Sequence, residues 1–183
     1  MNYAAIKKFD IANGPGVRVS LFVSGCRHKC KNCFNKEAWD FNYGNPMTKE
    51  VEEEILASCD HSHIEGLSLL GGEPFEKENR AGLISLVSRF KERFPEKTIW
   101  CYTGFILDSE LLADGSDDVM KLLSYIDVIV DGRYIEEKKS ASLLFRGSSN
   151  QRIIDVQKTL KEGNIVLFPG KWERKMGSGN IYE

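Results

Sequence analysis

Short apolar runs alternate with amphipathic stretches through the middle of the chain, and this alternation constrains the fold more than any other feature. Val17–Val23, rich in Val, Leu and Phe, is predicted as a strand. Residues 66–70, Thr98–Tyr102 and 127–130 are predicted as strands too. Between the first two, Thr48 has the chemistry of an N-cap, an acidic first turn follows, and Val51, Ile55, Leu56 and Cys59 fall on one helical face. Leu83, Leu86, Val87 and Phe90 repeat that spacing, and a third helix is predicted within 109–124. Strands alternating with helices imply an α/β fold, a mainly parallel sheet with helical cover. In such sheets ligands collect at the carboxyl ends of the strands. Those ends carry Cys26, Gly71-Gly72-Glu73, Thr103-Gly104 and Asp131-Gly132.

The 183 residues include 25 Lys+Arg and 27 Asp+Glu, a net charge of −2. That balance suits one soluble domain and gives no reason to expect nucleic acid or an anionic membrane as partner. The amino-terminal ten residues lack the apolar core of a signal peptide, and no run approaches the ~18 apolar residues of a membrane span. A reducing, cytoplasmic setting is expected, which fits an odd count of 5 cysteines.

Three of those cysteines, Cys26, Cys30 and Cys33, form a C-x3-C-x2-C array. Packing explains single buried thiols but not three at this spacing, which suits a soft metal centre. A structural zinc would want four closed ligands, with His28 inside the loop as a candidate fourth. An iron–sulfur cube held by three cysteines keeps one iron open, the arrangement of a catalytic centre. Arg27, Lys29 and Lys31 either favour thiolates or form a solvated surface.

The array followed by a strand ending in Gly71-Gly72-Glu73-Pro74 resembles the radical S-adenosylmethionine superfamily. The segments 10–18, 21–26, 130–132 and 146–151 resemble, within it, the glycyl-radical activases of anaerobic ribonucleotide reductase. The resemblance covers about residues 1–155, read as the activase domain, and leaves 156–183 as a carboxyl-terminal extension with one further strand and a flexible tail. It implies a 4Fe-4S cluster on Cys26, Cys30 and Cys33, with S-adenosylmethionine on the open iron. It also implies an incomplete (β/α) barrel with helices outside, since a closed eight-unit barrel takes about 250 residues. The implied partners are the large subunit of the reductase and a small electron donor such as flavodoxin.

On that reading Gly71 and Gly72 let the backbone approach the methionine end, and Glu73 accepts from an ammonium or orients the loop. The adenosyl group is expected near Asn32, Cys33 and Phe34, by backbone contacts or stacking, although the position before the third cysteine, often aromatic in the superfamily, is here Asn32, and Phe34 reads almost equally well as an ordinary core residue. Asp131 either contacts ribose or caps the next segment. Asn13-Gly14-Pro15-Gly16 is a candidate for the site's rim, Arg18 a partner contact or a solvated charge, and 146–151 a docking or loop-ordering segment. Cys59 and Cys101 are expected to be packed thiols. His61 and His63 are expected to complement a helix end or, less simply, to bind metal. The rival functions are an activase of another glycyl-radical enzyme, a small radical synthase, or a noncatalytic zinc or iron–sulfur binding protein.

Overall fold

The computed structural model describes residues 1–170. Its elements run β1 (Asn2–Asp10), β2 (Val17–Val23), β3 (Asn45–Pro46), α1 (Lys49–Cys59), β4 (Ile64–Gly71) and α2 (Lys77–Arg93). After these come β5 (Thr98–Tyr102), α3 (Leu112–Asp114), α4 (Asp117–Leu123), β6 (Val128–Asp131), β7 (Arg152–Asp155) and α5 (Val156–Glu162). The strands form one seven-stranded sheet in the order β3-β1-β2-β4-β5-β6-β7.

The sheet is mixed. β2, β4, β5 and β6 are parallel neighbours, whereas β1 pairs antiparallel with β2 and β3, and β7 antiparallel with β6. The expected parallel sheet is therefore the centre of a sheet whose edges run the other way. The physical reason at the first edge is loop length, because residues 11–16 are too few for a crossover.

Alternate residues of the central strands face opposite ways, and the two faces differ in kind. Val19, Leu21 and Val23 of β2, Leu67 and Leu69 of β4, Ile99 and Cys101 of β5 and Ile129 of β6 meet the helices in one core. Consecutive parallel strands joined by right-handed crossovers put every such helix on one side, as observed. The opposite face presents Trp100, Val128, Val130 and Ile153, packed against Tyr102, Phe145 and Phe168. The sheet is thus helix-covered on one side and loop-covered on the other.

Thr48 caps α1 as expected, its hydroxyl accepting from Val51 N. The helix expected within 109–124 is broken. A π-turn at Leu107–Leu111 and the short α3 lead to Gly115, whose φ of 58° ends the run before α4 begins. Beyond 155, the stretch 164–168 makes only a bridge between Leu167 and Ile154. The unforeseen helix there is α5, capped by the Asp155 carboxylate and burying Val156 in the main core. The expected tail, residues 171–183, lies outside the described residues. No helix among those described is long and apolar enough to cross a membrane.

Candidate functional site

β2 runs directly into the cysteine loop. Gly25, at φ 94°, turns the chain, and the Gly25 and Cys26 amides donate to Ala38 O and Trp39 O at 2.8 and 3.2 Å. The loop beyond is tight enough to hold Lys29 and Asn32 at φ 49° and 55°. Asn is among the few side chains that accept this left-handed region, which gives a backbone reason for Asn at 32. Cys26, Cys30 and Cys33 are all free thiols. Burial raises the Cys26 thiol to about 11 and, with Cys33 beside it, raises Cys30 as well. Thiolates at these positions therefore need a positive centre to form readily.

β4 ends against this same turn. Gly72 N donates to Val23 O at 2.7 Å and Glu73 N to Gly25 O at 2.8 Å. A Cβ on Gly71 would lie 2.7 Å from Val23 backbone atoms, and one on Gly72 2.6 Å from Gly25 O. Close approach does require both glycines, but the approach seen here is between two strand ends. Asn79 of α2 clamps the pair from behind, donating to Ser24 O and Glu73 O, both at 2.9 Å.

The Glu73 carboxylate is buried and fully engaged. One oxygen accepts from Thr103 Oγ1 at 2.7 Å and Phe75 N at 2.9 Å. The other accepts from Gly104 N at 2.7 Å and meets His28 Nε2 at 2.9 Å. Of the two expectations for Glu73, loop orientation is what these contacts perform. His28 Nδ1 accepts from Arg133 Nε at 3.2 Å, so neither ring nitrogen of His28 is free to be a fourth zinc ligand. Among the described residues no three His, Cys, Asp or Glu side chains converge on a point that a single metal ion could occupy.

A cavity of about 410 Å³ opens between these strand ends, and Cys26, Cys30, Cys33, Asn32, Phe34, Gly71, Gly72 and Glu73 all line it. Phe34 is 98% exposed at its lip, so it is not a core residue. Asp131 stands apart. Its carboxylate is buried, accepts from Leu107 N at 2.9 Å, and is gripped by Arg152 Nε and Nη2 at 3.0 and 2.5 Å. Its neighbour Gly132 reaches the main cavity, but Asp131 faces an adjacent one.

Sequence reasoning missed Trp39, Tyr102, Tyr134 and Lys139 in the wall, which Gln151 of the 146–151 segment joins. Tyr102 OH and Trp39 Nε1 are buried and without partners among the described residues. Gln151 orders its own loop, accepting from Gly147 N and Ser148 N and donating to Gly132 O. Loop ordering is therefore the role that its contacts give to 146–151.

Other candidates lie elsewhere. Arg18 is buried on the loop-covered face and donates to Ser68 Oγ, Thr98 Oγ1, Thr98 O and Leu67 O at 2.7–3.1 Å. It is neither solvated nor placed for a partner, and burial lowers its pKa to about 10. Asn13 O and Pro15 O accept from Ser68 and Arg18. The Gly-Pro-Gly turn thus packs at the far end of β2 from Cys26, and it does not line the cavity. Arg27 pairs with Glu76 and Glu78, and Lys31 with Glu137, so these charges are not directed at the thiols. His61 and His63 stack on each other and His63 on Phe9, while Lys97 supplies the cation at the α1 end by donating to Cys59 O and His61 O. Cys59 and Cys101 are fully buried, as expected.

Residues 12–154 match the family of 4Fe-4S single cluster domains. The anaerobic ribonucleoside-triphosphate reductase-activating protein of Vibrio cholerae is 43% identical over 155 residues, covering 84% of this chain and 97% of that protein. Its counterpart in Escherichia coli K12 is 42% identical over 153 residues, covering 82% and 96%. That of bacteriophage T4 is 42% identical over 155 residues, covering 84% and 93%. The chain belongs to this family of reductase-activating proteins. The donor chemistry agrees with membership of a 4Fe-4S family, because iron–sulfur clusters are held by thiolates and the cavity offers three unpaired ones.

Proposed function

We propose that the protein is a radical S-adenosylmethionine activase that generates a glycyl radical on the anaerobic ribonucleotide reductase. The observation carrying this reading is the single cavity in which Cys26, Cys30, Cys33 and the Gly71-Gly72 backbone meet while His28 is committed elsewhere. Three thiols and no fourth ligand among the described residues would leave one iron of a 4Fe-4S cluster open to the amino and carboxylate groups of S-adenosylmethionine. A cluster held by Cys26, Cys30 and Cys33 would supply the single electron for reductive cleavage of the sulfur–C5′ bond of S-adenosylmethionine, giving methionine and the 5′-deoxyadenosyl radical that would take hydrogen from a reductase glycine.

The chain's own residues bind, orient and shield. Cys26, Cys30 and Cys33 hold the cluster, and the Gly71-Gly72 backbone borders the methionine end. Asn32, Cys33 and Phe34 border the adenosyl end, with the exposed Phe34 ring available for stacking on adenine. On this reading the loop-covered face of the sheet is the inside of an incomplete (β/α) barrel, and the reductase glycine loop approaches the cavity at the strand ends. The reductase large subunit is the partner, a small carrier such as flavodoxin the electron donor, and the cytoplasm the setting.

Anaerobic reconstitution, mixing with the reductase and electron paramagnetic resonance test this directly. A glycine-centred signal that needs S-adenosylmethionine is expected. Cys26→Ala, Cys30→Ala and Cys33→Ala should each abolish it, whereas Cys59→Ala and Cys101→Ala should spare it. A signal obtained only with another glycyl-radical enzyme would refute the reductase assignment, and a colourless protein without cleavage would refute the enzyme.

A further inference from the structure

The contacts of Glu73 and His28 join three segments that are distant in sequence. His28 sits between the first two cysteines, Glu73 at the end of β4, and Arg133 just beyond β6. The His28 and Glu73 side chains are 8% and 1% exposed. Arg133 Nε–H can only donate, so Nδ1 of His28 must accept, which leaves the ring proton on Nε2 to donate to Glu73. The ring also fits its seat sterically. It meets Phe105 edge-on at 4.5 Å, and a Cβ on Gly104 would lie 2.4 Å from His28 Cδ2. Glu73 adds Thr103 Oγ1 and the Phe75 and Gly104 amides, so its four donors come from three loops.

We propose that His28 is the positioning residue of the cysteine loop, with Glu73 as its buried anchor and Gly104 as its seat. The anchor holds the loop attitude that Cys26 and Cys30 need, and Glu73 acts through that loop instead of gripping a ligand's ammonium. A carboxylate already accepting four hydrogen bonds has no vacant position for a fifth strong donor. The imidazole is hydrogen-bonded at both nitrogens, so it is a linker and not a ligand. The part of this proposal that concerns the cluster rests on the reading of the three cysteines as its ligands; the part that concerns loop attitude does not.

The test separates those parts. In cluster-free protein, amide hydrogen exchange across 26–33 should speed up about tenfold in His28→Ala, Glu73→Gln and Gly104→Ala. His28→Gln, whose amide can replace Nε2–H towards Glu73, should restore wild-type exchange, and His28→Asn should not. In reconstituted protein the same variants should lose iron to a chelator roughly 10–100-fold faster, the usual cost of removing the partner that orients a metal-binding loop. The cluster's midpoint potential should shift in His28→Ala and return in His28→Gln. Wild-type exchange in His28→Ala would overturn the proposal whether or not a cluster forms. So would a Glu73→Gln protein with unchanged exchange and iron release but weakened S-adenosylmethionine binding. Failure of wild-type protein to take up iron would overturn the functional reading alone, because the exchange arm still decides the linkage.

Discussion

Single residues show where the sequence is informative and where it is silent. Three cysteines at fixed spacing are legible because no packing pattern produces them, and the structure brings all three to one cavity. Arg18 and Phe34 were ambiguous because periodicity predicts the face of a strand but not what covers it, and it does not apply in loops. Arg18 is buried under the 13–16 turn, and Phe34 stands exposed. Their replacements should behave oppositely. Arg18→Met strands Ser68, Thr98 and Leu67 acceptors in the interior and should cost on the order of 3 kcal/mol, read as a lower urea midpoint. Phe34→Ala should leave that midpoint within about 0.5 kcal/mol. If the ring stacks on adenine, S-adenosylmethionine binding by the reconstituted protein should weaken by about 1–3 kcal/mol. Unchanged affinity would remove Phe34 from the site.

Elements were legible in proportion to how much apolar surface they bury. β2 and β5 have the predicted bounds, and β4 and β6 differ by one or two residues, because central parallel strands are nearly continuous apolar runs. β1 was missed because it buries little of its own surface and is held by ladder bonds to β2, which leave no mark on composition. The break between α3 and α4 was missed because a helical apolar period continues across Gly115 while the backbone does not. Two glycines then separate conformation from contact. Gly115 has φ 58°, and an added Cβ there meets nothing closer than Leu112 O at 3.5 Å. Gly115→Ala should cost about 1 kcal/mol through backbone strain, seen in thermal unfolding, with cluster content unchanged. Gly72→Ala drives a methyl into Gly25 O and Ala38 O, so it should lower iron per chain after reconstitution even where the fold survives. Equal iron in the two variants would contradict the packing of β4 against the loop entrance.

At the scale of the molecule, the strand ends named the site's position, but the sequence did not show how the ends are tied together. The ties span the chain, as between His28 and Arg133 or Arg152 and Asp131, and carry no local pattern. The same holds at the carboxyl side, where likeness to the family fades near residue 155 yet the packing does not. Val156 N donates to Asp127 O, and Gln157 Nε2 donates to Ile126 O at 2.6 Å and, more weakly, to Leu123 O and Ser124 O at 3.3 Å. α5 thereby closes the carbonyl end of α4 and the entry to β6, so it should unfold with the sheet. Gln157→Ala removes the donor these carbonyls share and should cost about 1–2 kcal/mol. Amide exchange should rise together in α4, β6 and α5, whereas an independently docked extension would show faster exchange in α5 alone.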